Sequence, residues 1–266
     1  MLSYHLLTQA LAPAPETPAR LFAYAVAGAL DGFVAHADYV RTAAAAECAA
    51  PTDAALARRL ALLLACDANP LAALVRAAAD AEQFARRWNG INQRVALGVA
   101  TVIGGPRRAG ARQPRRDADA DSALRQRLMH NFIAQLGPAP AGVRASPSPG
   151  LQGIAALLGL ANAAPGELSA ALQQRPDAGL AACAKALGCS SRTLQRQLGA
   201  AGLTFGQLRQ AVRVGLAGDL LRNTRAPLVE VALAAGFYDS PHFNRAIRLS
   251  SRLSPGEYRA LCADPA

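Results

Sequence analysis

Two stretches near the end of the chain, GCSSRTLQRQLGAAGLTF (188–205) and VALAAGFYDSPHFNRAIRLSSRLSPGEYR (231–259), share one design. Ahead of the first, LAACAKAL (180–187) carries Leu180, Cys183, Ala184 and Leu187 at helical spacing, and Asp177 is placed to cap it. Gly188-Cys189 then breaks the helix, where a tight turn needs a residue tolerant of positive φ. Ser190 caps a second helix over 191–198, which turns Leu194 and Leu198 inward and Ser191, Arg192, Gln195 and Arg196 outward. In the other stretch, VEVALAAG (229–236) is a short helix of small residues closed by Gly236, with Phe237 as a core anchor. Asp239 caps a helix over 240–249, with Pro241 in its first turn, where a missing N–H costs little. Phe243, Ala246 and Ile247 face inward, whereas Ser240, His242, Asn244 and Arg245 face outward or sit at the N-terminal end.

Each pair is a helix-turn-helix pattern, whose second helix suits a DNA major groove. Arginine can donate two hydrogen bonds to guanine, and glutamine can pair with adenine, on their groove edges. A single helical hairpin with a polar outer face looks similar; its recurrence about fifty residues later points to two paired reading units. His242 has no nucleophile or carboxylate partner in the pattern, which leaves a DNA contact or a plain surface residue. Between the units, a helix from Phe205 to Arg222 spans about 27 Å at 1.5 Å per residue. Successive major grooves on one face lie about 34 Å apart. Such a helix, with its packed ends, places both reading helices in neighbouring grooves, and the linkage lets one subunit bind without dimerising.

Residues 176–259 resemble the DNA-binding domain of the AraC/XylS family of transcription regulators. The resemblance is carried by the two units, by Arg213, Ala217 and Leu221 of the linking helix, and by Ser254-Pro255 with Tyr258-Arg259, which match the family's end signature. It covers about a third of the chain and implies that helices 191–198 and 240–249 enter the major groove. Arg192, Gln195 and Arg196 then fall on the base-contacting positions of the first unit. Pro241, His242, Asn244 and Arg245 fall on or beside those of the second. The family resemblance also implies transcription control, more often activation, by recruiting RNA polymerase. Three positions depart from the pattern: Ile247 replaces the usual Phe, Ser250 stands where a large residue is common, and Arg252 replaces a frequent Gly. These departures point to a weaker apolar anchoring of the second unit's tail. Pro241 cannot hydrogen-bond a base, which shifts sequence reading towards the first unit.

Moving towards the N-terminus, the fold class expected is all-α. Two short helical segments, 151–162 and 166–174, complete a seven-helix-type DNA-binding domain over 151–266, with 176–259 as its core. GPAPAGVRASPSPG (137–150) is a linker by composition, and GGPRRAGARQPRRDADAD (104–121) has no apolar period. Together they make 104–150 a flexible Arg/Pro/Gly-rich connection with one helix at 123–136. Residues 1–103 form a helical N-terminal domain for sensing or interaction. Thr17-Pro18 starts a helix whose apolar face runs Leu21, Phe22, Ala25, Val26, Ala29, Leu30, Phe33, Val34; a second starts at Thr52-Asp53. A third begins near Pro70 and continues through Phe84 and Trp88. RVALGVATVI (94–103) fits a helix or a strand, with helix the preferred reading. The β-barrel that precedes the DNA-binding part in many family members is not recognisable, so a sugar ligand is not carried over.

The chain has 266 residues, 52% of them hydrophobic and 5% aromatic, which favours helices packed through small side chains. Its net charge of +10 is uneven: residues 1–102 carry 8 Arg and 8 acids, so the surplus lies in the rear two-thirds, where it can meet phosphates. The five cysteines show no CxxC and no His at metal spacing, as expected of isolated thiols in a reducing cytoplasm. No metal or cofactor site is visible, nor a secretory signal or membrane span. A repair enzyme fused to a DNA-binding part would need a clustered Cys site or a Pro-Cys-His acceptor, and neither occurs. The expected function is therefore non-enzymatic, sequence-specific binding of double-stranded DNA. RNA polymerase is an expected partner, with an effector or regulatory protein at the N-terminal domain and a homodimer as further candidates. The competing reading is a non-specific architectural binder using the Arg-rich tract at 107–116.

Overall fold

Short polar side chains set the starts of most helices. In the computed structural model, which describes residues 1–13, 15, 17–104, 111–114, 121–137 and 150–263, Thr17, Thr52, Asn69, Asp80 and Ser122 each accept a backbone N–H in the first turn of a helix. The front part runs β1 (Leu2–Tyr4), α1 (His5–Leu11), α2 (Pro18–Leu30), β2 (Phe33–Ala35), α3 (His36–Glu47) and α4 (Asp53–Ala65). It continues through α5 (Pro70–Arg76), α6 (Ala81–Arg94), β3 (Val99–Val102), β4 (Ala111–Pro114) and α7 (Ala123–Leu136). The rear part is α8 (Gly150–Leu157), α9 (Ala164–Gln174), α10 (Leu180–Ala186), α11 (Ser191–Ala200), α12 (Phe205–Asn223), α13 (Leu228–Ala234), α14 (Ser240–Ser251) and α15 (Pro255–Cys262). Among the described residues the protein is all-α but for two antiparallel ribbons, β1–β2 and β3–β4.

The front core closes around aromatic rings. Tyr4 lies 5.2 Å from Phe33 and 5.5 Å from Trp88 between ring centroids, and Trp88 lies 6.0 Å from Phe132. Trp88 is buried, and its indole N–H donates to the carbonyl of Thr101 at 2.7 Å. The face predicted on α2 is also core: Leu21, Phe22, Ala25, Val26 and Ala29 are buried.

Several expectations need correction. The first predicted helix does not reach Val34; it stops at Leu30, and Phe33 and Val34 belong to β2. Asp31 ends it by accepting the N–H of Phe33, and Gly32 allows a close approach to Ser250 that a side chain would block. The helix expected from Pro70 through Trp88 is two, because Asp80 captures the N–H of Gln83 and starts α6 afresh. Residues 99–102 are a strand, not a helix. Side chains of α6 grip this strand: Asn92 Oδ1 accepts from the N–H of Thr101, and Asn89 bonds both the N–H and the carbonyl of Ile103. Part of the predicted loop at 104–121 is its partner, with Val99 paired to Pro114 and Val102 to Ala111. Arg107, Arg108, Arg115 and Arg116, like the linker at 138–149, lie outside the described residues. α1 and α3 were not expected from periodicity, while α7 falls where the pattern put it.

Front and rear meet along α12, which packs on α2 and α5, while α14 packs on α2 and α5 and α15 on α6. α12 is buried on several sides, through Leu208, Ala211, Val212, Val214, Ala217 and Leu221. A Cβ on Gly218 would stand 3.0 Å from Pro70, so the small residue lets α12 sit close to α5.

Candidate nucleic-acid interface

In the first unit, Gly188 makes the turn after α10 with φ of 67°. The Ser190 hydroxyl accepts the N–H of Thr193 at 3.1 Å and so caps α11. The cap expected one helix earlier is absent: α10 begins after Gly179, without a side-chain bond, and Asp177 is exposed two residues ahead of Gly179. Leu194 and Leu198 are fully buried, each burial worth about 1.5–3 kcal/mol. Arg192, Gln195 and Arg196 consequently stand exposed on the opposite side of α11, with Ser191 half-buried at its start.

The second unit repeats the construction with different chemistry. Gly236 turns the chain with φ of 82°, and a Cβ there would lie 2.8 Å from the backbone of Pro176. Asp239 Oδ1 accepts the N–H of His242 at 2.7 Å and caps α14, whose Phe243, Ala246 and Ile247 are buried. Pro241, His242 and Arg245 are exposed, with the imidazole edge-on to Phe237 at 5.3 Å. Ser240 and Asn244 are half-buried, and the Asn244 amide donates to the Ser240 carbonyl at 2.8 Å. This bond uses one of the two amide N–H donors and fixes the orientation of the Asn244 side chain. Arg248, which the sequence reading did not single out, is also exposed on α14, one turn beyond Arg245; its signal was the i, i+3 spacing.

Arg213 of α12 ties the units together. Its Nε donates to the Pro176 carbonyl at 2.8 Å, ahead of the first unit, and its guanidinium lies 5.9 Å from the centre of the Phe237 ring in the second. Burial, with Arg209 nearby, holds this guanidinium below its ordinary pKa. Thr204 and Gln207 form a reciprocal cap at the start of α12. At the other end, Arg222 donates to the Tyr258 hydroxyl at 3.1 Å, and that hydroxyl donates to the Pro70 carbonyl at 2.7 Å.

The departures at Ser250 and Arg252 also find a structural reason. Ser250 is fully buried against the front part, where its hydroxyl donates to the Ala29 carbonyl at 2.6 Å. Arg252 has φ of 60° and its guanidinium bonds Asp31 Oδ1 at 2.7 Å. The tail of the second unit is thus held by polar contacts with the front part rather than left loosely anchored. Among the described residues no helix is long and apolar enough to cross a membrane, and no group of three or more His, Cys, Asp or Glu is placed to hold a metal.

Two capped, polar-faced helices, each closed on its partner by a glycine turn and joined by one buried helix, define a double helix-turn-helix module. The family model described as a helix-turn-helix domain matches residues 183–261. Residues 183–261 therefore form an AraC-type helix-turn-helix domain. A stretch of 76 residues is 42% identical to the ornithine utilization regulator of Pseudomonas aeruginosa. The similarity covers 29% of this chain and 22% of that protein, so the chain matches about a fifth of the relative's length. No solved structure matches the chain.

Proposed function

We propose that the protein is a sequence-specific regulator that reads two successive major grooves of double-stranded DNA with helices 191–198 and 240–249, and that it activates transcription in the cytoplasm by recruiting RNA polymerase. The observation that carries this reading is the exposed row Arg192, Gln195 and Arg196 on α11, set against the exposed Pro241, His242 and Arg245 on α14, with Arg213 of the linking helix bonded to Pro176 ahead of the first unit and set over Phe237 of the second. Ser191, Ser240 and Asn244 complete the contact set at the helix N-termini. Phosphate binding alone needs no such pairing, so it disfavours an architectural role. The rear domain, 151–266, does the reading. The front domain, 1–103, receives a signal from an effector or a regulatory protein, and a homodimer is a further arrangement open to the chain.

The test is selection of random duplexes by the full-length protein at two salt concentrations. Two short enriched blocks about one helical turn apart support the reading. Binding without enrichment, lost smoothly as salt rises, supports the architectural alternative instead.

A further inference from the structure

The front part holds a cavity that the DNA-reading role does not use. It opens between α1, α2, α5 and α6, and its walls are mainly apolar, with Leu21, Leu63, Leu71, Val75, Trp88 and Ile91 among them. Its volume is about 50 Å³ counted as room for the centres of water molecules. The space a molecule fills extends a water radius of about 1.4 Å beyond those centres on every side and is well above the roughly 10–15 Å³ that one water occupies, so the cavity admits a molecule of several heavy atoms, up to one small ring. A Cβ on Gly28, in its wall, would meet nothing within 4 Å.

The polar groups of the wall are few: His5, Gln9, Asp67 and Asn69 carry most of them. None of the lining residues is an arginine or lysine, whereas Asp67 supplies a buried carboxyl. An anion entering here would meet that carboxyl with no lining guanidinium or ammonium to offset its desolvation. Burial already pushes the Asp67 carboxyl above its ordinary value, against the opposing pull of Arg76.

Two of these groups lead out of the cavity to the end of α14. Asn69 Nδ2 donates to the Gly28 carbonyl at 2.7 Å and to the Ser250 carbonyl at 3.2 Å. His5 Nδ1 bonds the Asp31 carbonyl at 2.9 Å, and Asp31 in turn holds Arg252. Gly32, also in the wall, donates its N–H to the Ser250 carbonyl at 3.0 Å. A molecule seated against Gly28 and Asn69 therefore presses on the groups that fix the tail of the second reading unit.

We propose that this cavity is the site of a small, uncharged, largely apolar ligand, and that its occupation is transmitted to α14 through Asn69–Ser250 and Asp31–Arg252. The transmission half rests on the proposed DNA-reading role; the binding half does not.

Trp88 is the chain's only tryptophan and lies in the cavity wall, so its emission reports occupation. The full-length protein is titrated, without DNA, with cyclohexanol and with cyclohexanecarboxylate, which share a ring and differ in charge, and with cyclohexanecarboxamide, which matches the carboxylate in size and is neutral like the alcohol. A saturable emission change with both neutral compounds, at least tenfold weaker with the carboxylate and abolished in Gly28→Leu, is the expected result. If Gly28→Leu melts early, Ala72→Val, which narrows the same cavity, serves in its place. Absence of saturation, equal binding of the anion, or unchanged binding in the filled variants would overturn the site. Affinity for the selected duplex is then measured with and without saturating cyclohexanol, and a shift of at least threefold is expected. Binding of cyclohexanol with no such shift overturns the transmission. Failure to select any duplex sinks the DNA-reading role and the transmission with it, while the Trp88 titration still decides the site.

Discussion

Asn69 and Ser250, separated by 181 residues in sequence, are joined by the Asn69 amide, which donates to the Ser250 carbonyl at 3.2 Å and contacts its hydroxyl at 3.4 Å. Both residues are buried, so the amide has no water to replace a lost partner. Restoring a large apolar residue here, as Ser250→Leu, is expected to lower stability by roughly 1–3 kcal/mol through overpacking against Gly32 and Asn69. Ser250→Ala, which removes only the hydroxyl, should cost about 1 kcal/mol. Urea denaturation of the full chain compares the two; a stabilised leucine variant would show that the front part does not occupy this space.

Gly32 and Gly28 offer a matched pair on the same contact. A Cβ at Gly32 would come within 2.6 Å of the Ser250 carbonyl oxygen and 2.7 Å of Asn69 Nδ2. Gly32→Ala should therefore destabilise by about 1–3 kcal/mol. Gly28 sits inside α2 with open space before it, so Gly28→Ala should gain up to about 1 kcal/mol of helix propensity. Thermal melting of both variants decides, and the two midpoints should move in opposite directions.

The proposed reading role makes Arg196 and Gln195 the most informative positions on DNA. Replacing either with alanine should cost about 1–3 kcal/mol at the selected site and relax preference there, with little effect on random duplex. Equal losses on specific and random DNA would reduce Arg196 to a phosphate contact. Gel-shift titrations at fixed salt distinguish these cases.

The two helix-turn-helix units were legible because their signals are local. Ser190 and Asp239 sit directly before the helices they cap, and Gly188 and Gly236 mark turns that demand positive φ. Asp177 looks like a cap for the converse reason: a capping residue type two positions early has the same appearance in sequence as one in place. α1 and α3 carry no local start signal, because they are preceded by Tyr4 and Ala35, which supply no side-chain cap. They follow strands β1 and β2, whose pairing joins residues about thirty apart. β3 was ambiguous because its conformation is decided by Asn89 and Asn92 on α6 and by a partner strand, none of which its own ten residues contain. Ser250 and Arg252 looked like losses since their partners, Asn69 and Asp31, are far away in the chain. The exposed rows on α11 and α14 could be listed from helical spacing; the internal bond that occupies the Asn244 amide could not.

The cap of α15 makes part of the tail pH-dependent. Ser254 and Glu257 form a reciprocal cap, in which the Glu257 carboxylate accepts from the Ser254 N–H at 2.7 Å and from its hydroxyl. These hydrogen bonds to the side chain and backbone of Ser254 hold the Glu257 carboxyl below its ordinary value. A depressed acid stabilises the fold above its unfolded pKa, near 4.3 for Glu, and that contribution fades as pH falls through the lower folded value. The stability of wild type over Glu257→Ala should thus be constant near neutrality and shrink below about pH 4. Denaturation at several pH values would show the two curves converging in acid; a difference that grew in acid would mean that Glu257 acts through something other than its charge.

Arg213 of α12 contacts both Pro176, ahead of the first helix-turn-helix unit, and Phe237 of the second. Its bond to the Pro176 carbonyl and its position over Phe237 fix the first unit against the second, with Gly236 backed onto Pro176. If both helices read one duplex, their separation is set by this contact, and inserting one base pair between the two recognised blocks should weaken wild-type binding strongly. Arg213→Ala should lose some stability, on the order of 1–3 kcal/mol from the unsatisfied carbonyl and lost packing. More tellingly, it should narrow the penalty for the inserted base pair, because the units can then shift relative to each other. Affinities of both proteins for both duplexes form a double cycle. A penalty unchanged by Arg213→Ala would place the rigidity in the packing of α12 alone, and no penalty in wild type would mean that only one unit reads bases.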